Sequence, residues 1–221
     1  MDSRMDGFEE RLERAVDVLQ DGQAVVVANP SPMTYGVVAR DARTVNVFKG
    51  RPAEQAVGIS VHSPATRAEL FGVLDLPQDA IAMVDVALGE RISVLAPVRP
   101  DAVVPEWLAP AVQDGWVVFF DGSWAPLAPI WQRFPVLYGS SANRSGEAPA
   151  ATGDEARAHF PTAAVIVDAD HLRTPDEPHG ASTIIRIAPT GEPTLHRPGI
   201  QDRTAGPETL LTHLNQVRTS V

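Results

Sequence analysis

Short apolar runs rich in valine and isoleucine, each closed by Gly, Pro, Asn or Asp, recur along the chain and limit what it can fold into. "QAVVVANP" ends at Pro30, "GWVVFFDG" at Gly122 and "AAVIVDAD" at Asp170, and "ISVLAPV" and "STIIRIAP" have the same form. Such runs read as buried strands. Between them lie stretches with helical signals. "FEERLERAVDVLQDG" places Phe8, Leu12, Ala15, Val16 and Leu19 on one face, with Gly22 just past the end. In "SPATRAELFGVL", Ser63 has the N-cap position and Pro64 the first helical one. Thr152 and Glu155 have the spacing of a capping box. A last helix is expected over about 205–218, "VPEWLAPAV" reads as a short helix or turn, and "APLAPIWQRF" as a short helix despite its prolines. "MTYGVVARDARTVNVFKGRP", "AVGISVHS", "AIAMVDVAL" and "PVLYGSSAN" are read as strands, the first with turns at Gly36 and Asp41. Strands and helices alternate irregularly, which predicts an α/β fold: a mixed sheet covered by helices. With no internal repeat and no clear linker, a single domain over 1–221 is expected, its core over about 8–200.

The bulk composition narrows the function classes. Hydrophobic residues make up 44% and charged residues 21%, a globular balance that argues against disorder. The absence of cysteine excludes disulfides, thiolate metal sites and a cysteine nucleophile, and fits a cytoplasmic protein. "MDSRMDGFEERLERAV" is charged and lacks the apolar centre of a signal peptide. No apolar run approaches the roughly 18 residues of a membrane helix. The net charge of −10 disfavours direct binding of RNA or DNA across a broad face.

Polar chemistry gathers in five short stretches. In "FKGRP", an extended backbone would project Lys49 and Arg51 to the same side, where two cations suit an anion between them. "SSANRSGEAPA" offers Ser141, Asn143 and Ser145 at alternating positions after an apolar run, a pattern suited to phosphate or ribose. "HGASTIIRI" sets Ser182 and Thr183 at the start of a strand, and "LHRPG" places Arg197 in an Arg-Pro-Gly turn. "NPSPMTYG", with Ser31, Thr34 and Tyr35, follows the first strand and can form one wall of a binding site.

In this order the five stretches resemble the YrdC-like family, the threonylcarbamoyl-AMP synthases. The matching residues are Tyr35-Gly36, Lys49-x-Arg51-Pro52, Ser141-Ala142-Asn143-x-Ser145-Gly146, Ser182-Thr183 and Arg197-Pro198-Gly199. The resemblance implies one α/β domain with a twisted mixed sheet around a deep concave cleft. It implies a nucleotidyltransferase that takes L-threonine, bicarbonate and ATP, with Mg²⁺ accompanying the ATP, and releases pyrophosphate. Its product feeds modification of adenosine 37 in tRNA, with transfer by partner proteins. Lys49, Arg51, Ser141 and Asn143 would be catalytic and, with Ser182 and Arg197, would hold the nucleotide. Ser31, Thr34, Tyr35, Ser60, Ser93 and Thr183 would line the amino-acid side. No dedicated carboxylate cage for a metal is evident.

The chain also departs from the family pattern. Pro32-Met33 replace the usual residues before Thr34-Tyr35, Ser60 aligns where family members often carry a histidine, and Ser93 takes the slot of a threonine. Phe119 stands where the resemblance places an arginine near the triphosphate. Two alternatives therefore stand beside the synthase: a paralogue using related carbamoyl or adenylyl chemistry on another small molecule, and a non-catalytic nucleotide- or RNA-binding module.

Overall fold

The computed structural model describes residues 3–144, 146–174 and 177–220. From the N terminus the elements are α1 (Ser3–Gln20), β1 (Val25–Val27), β2 (Gly36–Ala39), α2 (Ala42–Phe48), β3 (Gly58–Ser60), α3 (Pro64–Val73), α4 (Gln78–Gly89), β4 (Ser93–Pro97), β5 (Val112–Gln113), β6 (Trp116–Phe120), α5 (Ala128–Arg133), β7 (Leu137–Ser141), α6 (Gly153–His159), β8 (Ile166–Val167), β9 (Ile184–Ile187), β10 (Pro193–Arg197), α7 (Ile200–Ala205) and α8 (Pro207–Thr219). The expected mixed α/β architecture is present. The chain forms two compact units, Met1–Val57 with Ser123–Ala181, and Gly58–Gly122 with Ser182–Val221.

In the first unit the strand order is β7-β2-β1-β8. β2 runs antiparallel to both β1 and β7, while β8 runs parallel to β1. Val25, Val26 and Val27 are buried on both faces, so their side chains need no polar alternation. α1 packs on α5, β8 and β1 through Phe8, Leu12, Ala15 and Leu19, the face expected from spacing. Gly22, just beyond α1, has φ +76°, a conformation that glycine adopts without a Cβ penalty.

The segment 42–48 corrects an expectation. Its β-branched residues predict a strand, but it is α2. The Asp41 carboxylate accepts a hydrogen bond from the Thr44 amide at 3.0 Å and caps the first turn. That cap, together with burial of Ala42, Val45 and Asn46, overrides the strand preference of its β-branched residues.

The second unit has the order β10-β9-β4-β6-β3, with β5 paired to β6. β3 runs parallel to β6, β4 antiparallel to β6, β4 parallel to β9, and β9 antiparallel to β10. "AIAMVDVAL" is not the expected strand. It lies in α4, and its buried residues Ala80, Met83, Val84, Ala87 and Leu88 follow the helical i, i+3, i+4, i+7, i+8 pattern. "LHRPG" is likewise more than a turn: it ends β10, and Gly199 then caps α7. Asp202 accepts from the Gly199 amide at 2.6 Å and satisfies an end donor of that helix. α8 packs on α4, α7 and β10.

Candidate functional site

The polar loop after β7 is built in layers. The Ala142 amide donates to the Tyr35 carbonyl, the Tyr35 amide to the Ala150 carbonyl, and the Ala150 amide to the Ala142 carbonyl, each at 2.9 Å. The loop is thereby closed at its base. Inside it, Asn143 Nδ2 donates to the carbonyls of Arg144 and Glu147, both at 2.9 Å. This turns Asn143 Oδ1 towards Ser141, whose hydroxyl donates to it at 2.7 Å. Ser145 lies outside the described residues.

Lys49 reaches the same oxygen. It is the C-cap of α2 in a helical conformation, and Gly50 follows at φ +68°, so the Lys-x-Arg pair is not extended as expected. The Lys49 ammonium donates to Asn143 Oδ1 at 3.0 Å, to Ser140 Oγ at 3.2 Å and to the Ser141 carbonyl. Lys49 is only 7% exposed, so these bonds offset the cost of withdrawing a cation from water.

Arg51 is placed by another residue. Its Nε donates to Asn46 Oδ1 at 2.7 Å, and its own amide to the Asn46 carbonyl at 3.0 Å. Asn46 is fully buried and sends its amide hydrogens to the carbonyls of Ala53 and Gln55, fastening the loop after Arg51. Arg51 Nη2 is buried with no hydrogen-bond partner among the described residues. Burial holds this guanidinium below its ordinary pKa.

The first motif forms a second cluster in the same unit. Ser31 Oγ accepts from the Thr174 amide at 2.9 Å and lies 3.2 Å from His179 Nε2. Thr34 is buried, with its amide on the Gly180 carbonyl. Tyr35 is wholly buried, and its hydroxyl donates to Asp170 at 2.7 Å and Asp168 at 3.3 Å. Burial, then the Asp170 bond, pushes the Tyr35 pKa well above the usual phenol range. Burial would raise Asp168, but the Asp170 amide and the Arg157 guanidinium outweigh it and hold the carboxyl below its ordinary value.

The remaining sequence-selected residues belong to the second unit. Ser60 Oγ accepts from the Gly122 amide at 3.1 Å and lies 2.9 Å from His62 Nδ1. Ser93 Oγ and Ser182 Oγ are 2.8 Å apart, and Arg197 donates to the Ser182 carbonyl at 2.9 Å. Thr183 is fully buried, and its hydroxyl donates to Asp202 at 2.7 Å. Phe119 is also fully buried, aligned with Ile59 and Val94 in the ladders of β6. It is a core residue of the sheet, which corrects the expectation that an arginine at this position would add a cation to a nucleotide site.

Ser140, Asn46, Asp168, Asp170 and Arg173 were missed from sequence. Asp168 and Asp170 had a signal, two carboxylates alternating at the end of an apolar run, whereas Asn46 and Ser140 are ordinary residues of a helix and a strand. Among the described residues there is no group of three or more His, Cys, Asp or Glu side chains that could hold a metal ion. No helix among them is long and apolar enough to cross a membrane.

These features define a mixed α/β protein with a serine-asparagine loop stapled by a lysine. The family model of Sua5, YciO and YrdC proteins, described as telomere recombination, matches residues 17–199, and the chain belongs to that family. No curated protein matches the sequence. Among solved structures, P. abyssi Sua5 complexed with L-threonine is similar with a TM-score of 0.60 and 19% identity, covering 90% of this chain and 58% of that one. E. coli YciO is similar with a TM-score of 0.61 and 12% identity, covering 87% of this chain and 90% of that one. Full-length HypF, in a phosphate- and nucleotide-bound form, is similar with a TM-score of 0.62 and 12% identity, over 86% of this chain and 29% of that one. At these identities the likeness shows the fold. The chain spans 57% and 58% of two Sua5 chains that it resembles.

Proposed function

We propose that this protein forms threonylcarbamoyl-AMP from L-threonine, bicarbonate and ATP. The observation that carries the reading is the convergence of Lys49, Ser140, Ser141 and Asn143 on one short loop. Family membership and the L-threonine bound to Sua5 support it. In the reaction the threonine nitrogen bonds to the bicarbonate carbon, water leaves, and a carbamate results. A carbamate oxygen then attacks the α-phosphorus of ATP, the bond to the bridging oxygen breaks, and pyrophosphate departs. The protein needs no nucleophile of its own; it must align the carbamate and offset charge.

An ammonium has three N–H donors, and Ser140, Ser141 and Asn143 each accept from Lys49. Gripping a phosphate or carbamate oxygen therefore means exchanging one of these bonds, which releases a loop hydroxyl or amide oxygen as the anion arrives. Arg51 Nη2 supplies a further donor. In this reading Ser31 and Thr34 serve the amino acid. Tyr35 and Thr183, with hydroxyls committed to Asp170 and Asp202, act as props. Mg²⁺ arrives on the ATP phosphates as part of the substrate. The product feeds tRNA adenosine-37 modification through partner proteins.

The replacement of the first-motif residues by Pro32-Met33 favours one alternative, the same chemistry on a different small molecule. Pyrophosphate release from ATP and bicarbonate, with and without L-threonine, decides between them. Threonine-dependent release that is lost in Lys49→Met and Arg51→Met is the expected result. Release that depends on another amine, and not on threonine, supports the alternative.

A further inference from the structure

We propose that Arg173 is a positioning residue that fixes the Ser31–Thr34 segment and so sets the affinity for the amino-acid substrate. The second half of this statement rests on the synthase reading above; the first does not.

The Arg173 side chain is 3% exposed. A guanidinium so deep in the protein needs partners on several sides. Nη1 donates to the Ala151 carbonyl at 2.5 Å and to Asp170 Oδ1 at 3.1 Å, and Nη2 donates to the Met33 carbonyl. The guanidinium carbon also lies 5.1 Å from the centroid of the Tyr35 ring. One side chain thus ties together the first motif, the end of the serine-asparagine loop and the turn after β8.

The three acceptors explain why the residue is arginine. A planar fork with fixed donor directions sets the orientation of two carbonyls at once, which neither an apolar side chain nor the single point of an ammonium does. The ends of the Ser31–Thr34 segment are held separately. Asn29 Nδ2 donates to the Thr34 carbonyl at 2.7 Å, and the Thr34 amide and Pro32 carbonyl both pair with Gly180 at 3.0 Å. Arg173 grips the middle, at Met33. Asp170 joins the props, because its Oδ1 accepts from both Arg173 and the Tyr35 hydroxyl while Oδ2 accepts from the Gly153 amide at 2.7 Å.

The test compares Arg173→Gln and Arg173→Lys with the parent protein by amide hydrogen exchange and by steady-state kinetics. In Arg173→Gln the Met33 and Thr34 amides should exchange at least about tenfold faster, with α1 unchanged. Arg173→Lys, which keeps the charge and loses the fork, should fall between. The KM for L-threonine should rise about fivefold or more, while that for ATP moves less than about twofold. Unchanged exchange at Met33 and Thr34 in both variants would overturn the positioning role. Faster exchange with an unchanged threonine KM would overturn the link to affinity. If the parent protein shows no threonine-dependent turnover, the synthase reading fails, and the exchange comparison still decides the role of Arg173. If Arg173→Gln does not fold, the lysine variant carries both comparisons.

Discussion

Replacing Lys49 with methionine isolates the staple from its stem. Methionine keeps much of the buried apolar chain and removes only the ammonium. The variant loses bonds to Ser140 Oγ, the Ser141 carbonyl and Asn143 Oδ1. Charged hydrogen bonds contribute about 1.5–3 kcal/mol each, but the three losses do not simply add. Asn143 Oδ1 still accepts from Ser141, and the Ser141 carbonyl still accepts from the Asn143 amide at 3.0 Å. Only the Ser140 hydroxyl must find a new arrangement, and the ammonium's desolvation cost disappears. The net destabilisation is then about 1–3 kcal/mol, which for a chain of this size lowers Tm by roughly 2–12 °C. Calorimetry measures that change, and pyrophosphate release measures the accompanying loss of turnover, about a hundredfold or more for a cation acting on the reacting phosphate. An unchanged Tm would refute the stapled geometry. A lowered Tm with full turnover would refute the catalytic role and leave Lys49 a structural residue.

Further expectations concern the scaffold. Phe119→Arg should cost roughly 3–5 kcal/mol for the lost ring, plus the burial of an unpaired charge; it should leave little folded protein, while Phe120→Arg, at a half-buried position, should remain folded. A folded Phe119→Arg protein with tighter ATP binding would contradict the core assignment. His179 is held below its ordinary pKa of 6.5 by burial and then by the Arg173 charge. The folded state therefore favours its neutral form, and the stability this gives is present above 6.5 and lost as pH falls through the depressed value. His179→Gln should flatten the acid side of a Tm-against-pH curve, and an unaltered curve would remove His179 as its source. A Cβ at Gly153 would lie 2.4 Å from Asp168 Oδ2. Gly153→Ala should therefore cost about 1–3 kcal/mol through overpacking, seen as a drop in Tm that is smaller when the same change is made in an Asp168→Ala background.

What could be read from sequence follows from how local each feature is. β1, β6, β7 and β9 announce themselves by apolar runs with flanking breakers, and α1, α6 and α8 by spacing or caps. The apolar run of α4 is nearly continuous and so resembles a strand, although Ala80, Met83, Val84, Ala87 and Leu88 have helical spacing. In α2 the β-branched residues point to a strand, and one capping aspartate is the only local signal against it. Lys49 and Asn143 could be selected by motif order, but not the atom on which they meet. Ser140 and Arg173 act on partners 91 and 140 residues away, and nothing in their own surroundings records this. Arg51 could be selected, but not the buried Asn46 that aims it.

Synthase activity is read most directly from its product. The purified protein is supplied with ATP, Mg²⁺, L-threonine and carbon-13 bicarbonate, and the adenylates are identified by mass spectrometry. The expected product is an AMP conjugate that carries both the threonine and the labelled carbon, and that disappears in Lys49→Met. A labelled carbamoyl adenylate formed without threonine would contradict the substrate assignment, and AMP or ADP alone, with no labelled conjugate, would contradict the synthase itself.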